Sequence, residues 1–327
     1  MNPTFYDKNV LITGGAGFLG SYVAERLCLE HPRSVVVVDN LYLGKKENLS
    51  EAGKKLGSKL VTYWSDATDM ASMREIVKRE HIDIAYDMAV IPLPQSLIDP
   101  AWNVRQNVEL SLVLCELLRE QAFSTLVHFS SSETYGSAVH PVMNEDHPTS
   151  AATPYAASKL AGDALVMSYA ETFGLDVTTL RPFNNYGPRQ NSGAHAGVLP
   201  LIVKRAMAEL PIEIYGDGEQ TRDLIFARDT AQAAIDIYLT QTSRNQVVNV
   251  ASGVELSVNH LVKTVLQLMG KPDHPVVHLA PRIGDLRRHC GGVERAKKLW
   301  GFAPKVSIEE GLAETVRWYQ NTMAAST

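Results

Sequence analysis

Short apolar runs alternate, through the first half of the chain, with longer segments whose apolar positions recur every three or four residues. Asn9 to Thr13 (NVLIT) ends in glycines, Tyr22 to Leu29 has helical spacing, and Val35 to Val38 forms a second run that stops at Asp39. The alternation continues through an amphipathic segment near Met70 to Glu80, a strand-like Ile82 to Ala89 and a helix around Val104 to Arg119. Thr125 to Ser130, a helix over Tyr155 to Phe173 and a strand at Val177 to Arg181 complete it. Short buried strands between helices predict an α/β protein, with a doubly wound parallel sheet covered by helices on both faces. After Arg181 the regularity loosens into Gly/Pro-rich connections at Tyr186 to Pro200 and Tyr215 to Gly218, followed by a mixed C-terminal third. The expected division is a cofactor-type domain over residues 1–180 and a smaller lobe over 181–327, partly interleaved with the first.

Composition narrows the function. A chain of 327 residues, 45% hydrophobic and 20% charged, can bury a substantial core. Its formal net charge is -5 with no basic tract, so neither nucleic acid nor an anionic membrane is the expected partner. Cys28, Cys115 and Cys290 lie far apart without metal-ligand spacing, which predicts no disulfide framework, no metal site and a reducing, cytoplasmic location. No charged-then-apolar leader and no run of ~18 apolar residues is present, so no export signal or membrane span is expected.

Three stretches carry chemistry. In Gly14-Gly15-Ala16-Gly17-Phe18-Leu19-Gly20 the glycines at 14, 17 and 20 fall between a strand and a helix. There a missing Cβ lets the backbone approach a pyrophosphate, and free helix-N-terminal amides favour its charge. The bland alternative is a plain strand-to-helix turn. Asp39 stands at the end of the second strand, ~20 residues beyond the glycines, where a carboxylate binds a ribose 2′-hydroxyl and repels a 2′-phosphate. NAD is thus favoured over NADP, unless Asp39 is only a strand-end turn residue before Asn40. Tyr155 and Lys159, in YAASK, share a helix face, so the ammonium is expected to favour tyrosinate and bring a weak base toward neutral pH. The alternative, a solvated helix face, would dominate if the pair stood alone.

With these motifs in order, the chain resembles the extended short-chain dehydrogenase/reductase family, specifically its nucleotide-sugar epimerases and dehydratases. The likeness rests on TGGAGFLG at Thr13 to Gly20, VDN at Val38 to Asn40, SDAT at Ser65 to Thr68, SSSETYG at Ser130 to Gly136 and YAASK. It continues through RPFNNYGPRQ at Arg181 to Gln190, YGDGEQTRD at Tyr215 to Asp223 and RIGD at Arg282 to Asp285. The resemblance implies a Rossmann sheet, with NAD held by Gly14, Gly17, Phe18, Leu19, Gly20, Asp39 and Asn40 and its adenine flanked by Asp66 and Ala67. It implies that Tyr155 removes the sugar 4-hydroxyl proton, that Lys159 holds the nicotinamide ribose and that Ser131 hydrogen-bonds the same sugar oxygen. Asn184, Arg222 and Arg282 would grip a nucleotide-sugar diphosphate, the arginines through planar donor forks. The competing reading of each arginine is a surface ion pair with Asp223 or Asp285. Relatives are often homodimers through helices matching Val104 to Arg119 and Tyr155 to Phe173, although the apolar residues there also suit a core.

The chain departs from that pattern twice. Relatives usually have His-Leu-Ala-Ala where Asp87-Met88-Ala89-Val90 stands, and Gly-Thr where Leu110-Ser111 stands. The simplest expectation for Asp87 is a solvent-facing position. Glu133 raises the main question, because oxidation at C4 followed by hydride return needs no carboxylate, whereas 4,6-dehydration needs a base for the C5 proton. Ser132 and Glu133 are similar to the pair in some dehydratases, and also to that of nucleotide-sugar uronate decarboxylases. The expectation is 4,6-dehydration with Glu133 as C5 base, then 4-epimerisation, then decarboxylation. Glu133 could instead accept backbone amides at a turn, and a non-catalytic dinucleotide sensor is the reading from a different class. The segment Gln190 to Val198 is expected to border the sugar, with His195 a solvated loop residue.

Overall fold

The computed structural model describes residues 3–193, 196–281 and 287–324. Its strands are β1 (Asn9–Thr13), β2 (Ser34–Val38), β3 (Leu60–Tyr63), β4 (Ile84–Asp87), β5 (Thr125–Phe129), β6 (Val177–Pro182), β7 (Asn184–Tyr186), β8 (Ile212–Tyr215), β9 (Thr221–Phe226), β10 (Val247–Val250), β11 (Glu255–Ser257) and β12 (Val276–Leu279). The helices are α1 (Phe18–Leu27), α2 (Ser50–Leu56), α3 (Met70–Arg79), α4 (Leu93–Ser96), α5 (Pro100–Arg119), α6 (Pro154–Phe173), α7 (Val198–Met207), α8 (Ala227–Leu239), α9 (Val258–Leu268), α10 (Glu294–Trp300) and α11 (Ile308–Ala324).

Seven strands form one parallel sheet in the order β10-β6-β5-β4-β1-β2-β3. Every residue of β1, β4 and β5 is buried, because helices cover both faces; a continuous apolar run suits such a strand better than alternation. The chain leaves β1 toward β2 and β3, then returns to place β4 on the other side of β1. Diverging connections open a crevice at the C-terminal ends of β1 and β4, where doubly wound sheets bind ligands.

Several elements differ from the sequence expectation. The edge strand β3 was not anticipated, since its four residues are only partly buried and carry no clear pattern. The seventh strand, β10, comes from far along the chain and pairs with β6 in register Val248↔Leu180, so the sheet is not confined to residues 1–180. Helix α5 starts at Pro100, four residues before the apolar spacing at Val104, because the Asp99 carboxylate caps it by accepting from Trp102 N at 3.0 Å. Helix α1 likewise begins at Phe18 and gives way to a 3-10 turn at Cys28. Strand β4 ends at Asp87 because the next amides, Met88 N and Ala89 N, turn toward the Thr13 hydroxyl at 3.1 and 3.2 Å.

The smaller lobe holds a three-stranded sheet, β11-β9-β7, and the pair β12-β8. Helices α7, α9 and α11 close a second core around Val203, Ile214, Val265, Leu312 and Tyr319. Strand β7 follows β6 directly, so the lobe grows from the C-terminal edge of the large sheet, beside the crevice. No helix among the described residues is long and apolar enough to cross a membrane.

Candidate active site

A cleft opens at that crevice, and the turn Gly14 to Gly20 forms its floor. Gly14 adopts φ +66, and a Cβ there would lie 2.7 Å from Ala89 Cα. At Gly20 a Cβ would sit 2.3 Å from the Gly14 carbonyl oxygen, so any side chain would push α1 off the turn. Gly17, the N-cap of α1, supplies no side-chain cap, which leaves the first-turn amides available to an anion.

Asp39 lines the same cleft at the end of β2. It is 7% exposed and accepts from Ala16 N at 3.0 Å and Leu41 N at 2.8 Å. Burial raises its pKa, against the pull of these amides. Two bonds leave a carboxylate further acceptor capacity, suited to ribose hydroxyls. Asn40 meets Asp66 at 3.4 Å, and Asp66 in turn holds Thr68 through its amide and hydroxyl. Phe18, Leu19, Asn40, Asp66 and Ala67 all line the cleft. A glycine-rich turn under a helix without a side-chain cap, flanked by an acceptor that would repel a 2′-phosphate, fits NAD.

The opposite wall carries Ser131, Tyr155 and Lys159. Thr153 caps α6 by accepting from Ala156 N at 3.1 Å, and Pro154 occupies the first turn, which places Tyr155 at the helix mouth. Ser131 caps the next turn, Ser132–Tyr135, by accepting from Glu133 N at 3.2 Å. It stands near enough to Tyr155 to lower the phenol's pKa. The Tyr155 pKa is pushed up to about 12, chiefly by burial and also by the charge of Glu133, with only the nearby Ser131 hydroxyl lowering it. That direction is opposite to the one expected from Lys159, because the low-dielectric wall disfavours the phenolate. Lys159 is 6% exposed and its own pKa is lowered by burial, while Asp87 and Asp163 favour the charged form.

Ser132 and Glu133 lie outside the cleft lining. Ser132 is 3% exposed, and its carbonyl faces His289 Nε2 at 3.3 Å. The backbone cap at this turn is Ser131, not Glu133. Asn184 and Arg222 also lie off the cleft lining, in the smaller lobe. Asn184 Nδ2 donates to the Asp223 carbonyl at 3.2 Å and meets His289 Nδ1 at 3.0 Å. Arg222 donates to the Thr221 carbonyl at 2.8 Å, and its charge reaches His289. Asp223 is not the surface partner imagined for Arg222. It is fully buried, and its carboxylate accepts from Ser252, Gly253 and Gly291. Arg282, Asp285 and His195 lie outside the described residues.

Three features escaped the sequence reading. His289 links Asn184 to the Ser132 turn and has its pKa lowered to about 4, first by burial and then by Arg222. Asn107, on α5, accepts from Ile91 N at 2.7 Å and donates to Ser158 Oγ at 2.9 Å, tying the cleft segment around Ile91 to α6. Asp87 is 2% exposed, which overturns the solvent-facing expectation; it binds His128 Nδ1 at 2.7 Å and accepts from Ser111 Oγ at 2.8 Å. The two departures from the family pattern are thus in contact. Only the spacing of Asp87 at the end of a buried strand could have warned of it.

A dinucleotide turn at the switch point, facing a Tyr–Lys helix across one cleft, marks the class as an extended short-chain dehydrogenase/reductase. The chain belongs to the NAD dependent epimerase/dehydratase family, whose model matches residues 10–251, and it is an enzyme with NAD as cofactor. It is 34% identical over 313 residues to a UDP-glucose 4-epimerase of Mycolicibacterium smegmatis, covering 95% of this chain and 98% of that one. It is 31% identical to a dTDP-glucose 4,6-dehydratase of Actinoplanes sp., covering 95% and 97%. Among solved structures, a dTDP-glucose 4,6-dehydratase from Streptomyces venezuelae with NAD and TYD bound superposes with TM-score 0.90 at 27% identity, covering 97% of this chain and 98% of that one.

Proposed function

We propose that the protein oxidises C4 of a nucleotide-diphosphate sugar to a transient 4-keto sugar and carries the product through 4,6-dehydration. The carrying observation is that Ser131, on the cleft wall with Tyr155 and Lys159, accepts from Glu133 N at 3.2 Å while the Glu133 charge reaches Tyr155. It sets a carboxylate beside the proton-abstracting phenol. Bound NAD supplies the hydride acceptor, and returns the hydride in the same turnover. Tyr155 takes the 4-hydroxyl proton, Ser131 holds that oxygen, and Lys159 provides the positive charge that stabilises ionised Tyr155. The 4-ketone acidifies C5–H; Glu133 removes that proton and passes it to the C6 hydroxyl, which leaves as water, and the 5,6-alkene then takes the hydride at C6 and a proton at C5, Ser132 supporting the turn. Gly14, Gly17, Phe18, Leu19, Gly20, Asp39, Asn40, Asp66 and Ala67 hold the dinucleotide, and Asn184, Arg222 and Arg282 the diphosphate.

A second reading, 4-epimerisation, is favoured by the similarity to a UDP-glucose 4-epimerase and by the position of Glu133 off the cleft lining. Incubation with NAD and a panel of nucleotide hexoses, N-acetylhexosamines and uronates, followed by mass spectrometry and NMR, separates the outcomes. Loss of water supports dehydration, an inverted C4 at unchanged mass supports epimerisation, and loss of carbon dioxide from a uronate supports decarboxylation.

The working form is a cytoplasmic homodimer. Val104, Val108 and Leu112 form a half-buried apolar stripe at i, i+4 and i+8 on α5, suited to pairing with a second copy, and light scattering of the purified protein tests it. Cys28, Cys115 and Cys290 are free thiols, as suits a reducing compartment.

A further inference from the structure

Behind Lys159, away from the cleft, lies a cluster of buried charge. His128, on β5, is fully buried; its Nδ1 is 2.7 Å from Asp87 Oδ2 and its Nε2 is 3.4 Å from Asp163 Oδ1. A carboxylate only accepts, so a neutral ring would turn one lone pair against an anion. Nδ1 makes a hydrogen bond to Asp87, whereas Nε2 meets Asp163 at an ion-pair distance without hydrogen-bond geometry; a ring protonated on both nitrogens suits both contacts. Asp163 Oδ2 also accepts from Ser130 Oγ at 2.7 Å and from Arg181 at 2.6 Å, and Arg181 stacks 4.6 Å over the Tyr135 ring.

Helix α6 connects this cluster to the proposed chemistry. Tyr155, Lys159 and Asp163 stand at i, i+4 and i+8 on one face. Helix α6 lies close against the cluster at Gly162, where a Cβ would lie 3.4 Å from both His128 Cε1 and Ser111 Oγ. Among the described residues Lys159 has no ion-pair partner at contact distance, so its buried ammonium depends on charges acting through space. The groups facing His128 are Asp87 on β4, Ser111 on α5, Ser130 at the end of β5, Lys159 and Asp163 on α6, and Arg181 on β6. Cys115 on α5 and Tyr135 flank them, and both have their pKa values raised by burial. Burial works to lower the His128 pKa, but the Asp163 and Asp87 carboxylates against its ring nitrogens outweigh it and the pKa is raised.

We propose that His128 is a permanent imidazolium held between Asp87 and Asp163, and that this array is a positioning element that sets the ionisation of Tyr155 through the charge balance around Lys159. Asp87 and Asp163 supply two negative charges; His128, Arg181 and Lys159 supply three positive ones. The core behind the site keeps one excess positive charge, which favours ionised Tyr155 and opposes the Glu133 charge that raises its pKa. The inference rests on the reading of Tyr155 and Lys159 as the proton-abstracting pair.

The test is a charge-balance cycle. His128→Gln removes the excess, so the Tyr155 phenolate band at 295 nm and the acid limb of the kcat pH profile should both move up by about one pH unit. Asp87→Asn combined with His128→Gln removes one charge of each sign and should return both to wild-type positions. A merely structural array would lower the melting temperature of each variant while leaving both pH readouts in place, and that result overturns the proposal. Nitrogen-15 NMR of wild-type protein should show both His128 nitrogens protonated from pH 6 to 8. A neutral ring at pH 7 also overturns it. The NMR and phenolate titrations need no turnover, so inactivity toward every sugar tested would count against the proposed reaction and not against the array.

Discussion

Ser111 donates a 2.8 Å hydrogen bond to the buried carboxylate of Asp87, joining the two positions at which the chain departs from the motifs of its relatives. One substitution makes room for the other: a carboxylate in a dry core needs donors, and Ser111 and His128 provide them. The Asp87–Ser111 pair bears on the electrostatics behind Lys159, while Met88, Val90 and Leu110 of the same stretches line the cleft.

Gly20→Ala should prevent cofactor binding and destabilise the fold. The new Cβ would meet the Gly14 carbonyl at 2.3 Å, a backbone atom that cannot swing aside. Overpacking of this kind costs about 1–3 kcal/mol, so a lowered melting temperature and no NAD heat in calorimetry are expected.

Asp39→Asn should weaken NAD and admit NADP. The anion that accepts from Ala16 N and Leu41 N would be lost, and with it the repulsion of a 2′-phosphate. Hydrogen bonds to a charged group contribute about 1.5–3 kcal/mol, so NAD affinity should fall roughly tenfold or more, while the NAD-to-NADP ratio of dissociation constants approaches one. Titration of both dinucleotides checks this.

Glu133→Gln should abolish dehydration by about 10²–10⁴-fold while C4 oxidation continues, the scale expected for losing a general base. Because the Glu133 charge raises the Tyr155 pKa, its removal should also move the acid limb of the oxidation step to lower pH. Unchanged dehydration in this variant would remove Glu133 from the mechanism.

Asp163→Asn should destabilise the protein most near neutrality. Burial alone would raise the Asp163 carboxyl, but His128 and Arg181 bring it below its ordinary 3.8. Its stabilisation is complete above that value and is lost as pH falls through the folded pKa. Breaking a buried pair from one side costs about 3–5 kcal/mol, so denaturant midpoints should differ strongly at pH 7 and converge only once pH falls below the depressed folded pKa, under 3.8.

Much of the site was legible because it is built from local geometry. The Gly14 to Gly20 turn, Asp39 at a strand end and the Tyr155–Lys159 spacing are each patterns within a few residues, and the structure gathers all of them around one cleft. Glu133 was legible as a residue, but not where it stands relative to the cleft. His289 stands 157 residues from Ser132, and Asn107 stands 51 from Ser158, so no local pattern announces either contact.

By itself, the sequence determined the parallel α/β sheet, the dinucleotide turn and the family, because strand and helix periodicity and short-range backbone geometry are written in neighbouring residues. The tertiary structure alone decided that β10 completes the large sheet, that Asp87 is buried, and that His128 sits between two carboxylates. Those depend on which distant segments share the low-dielectric core, where a charge is tolerated only if folding brings its partners to it.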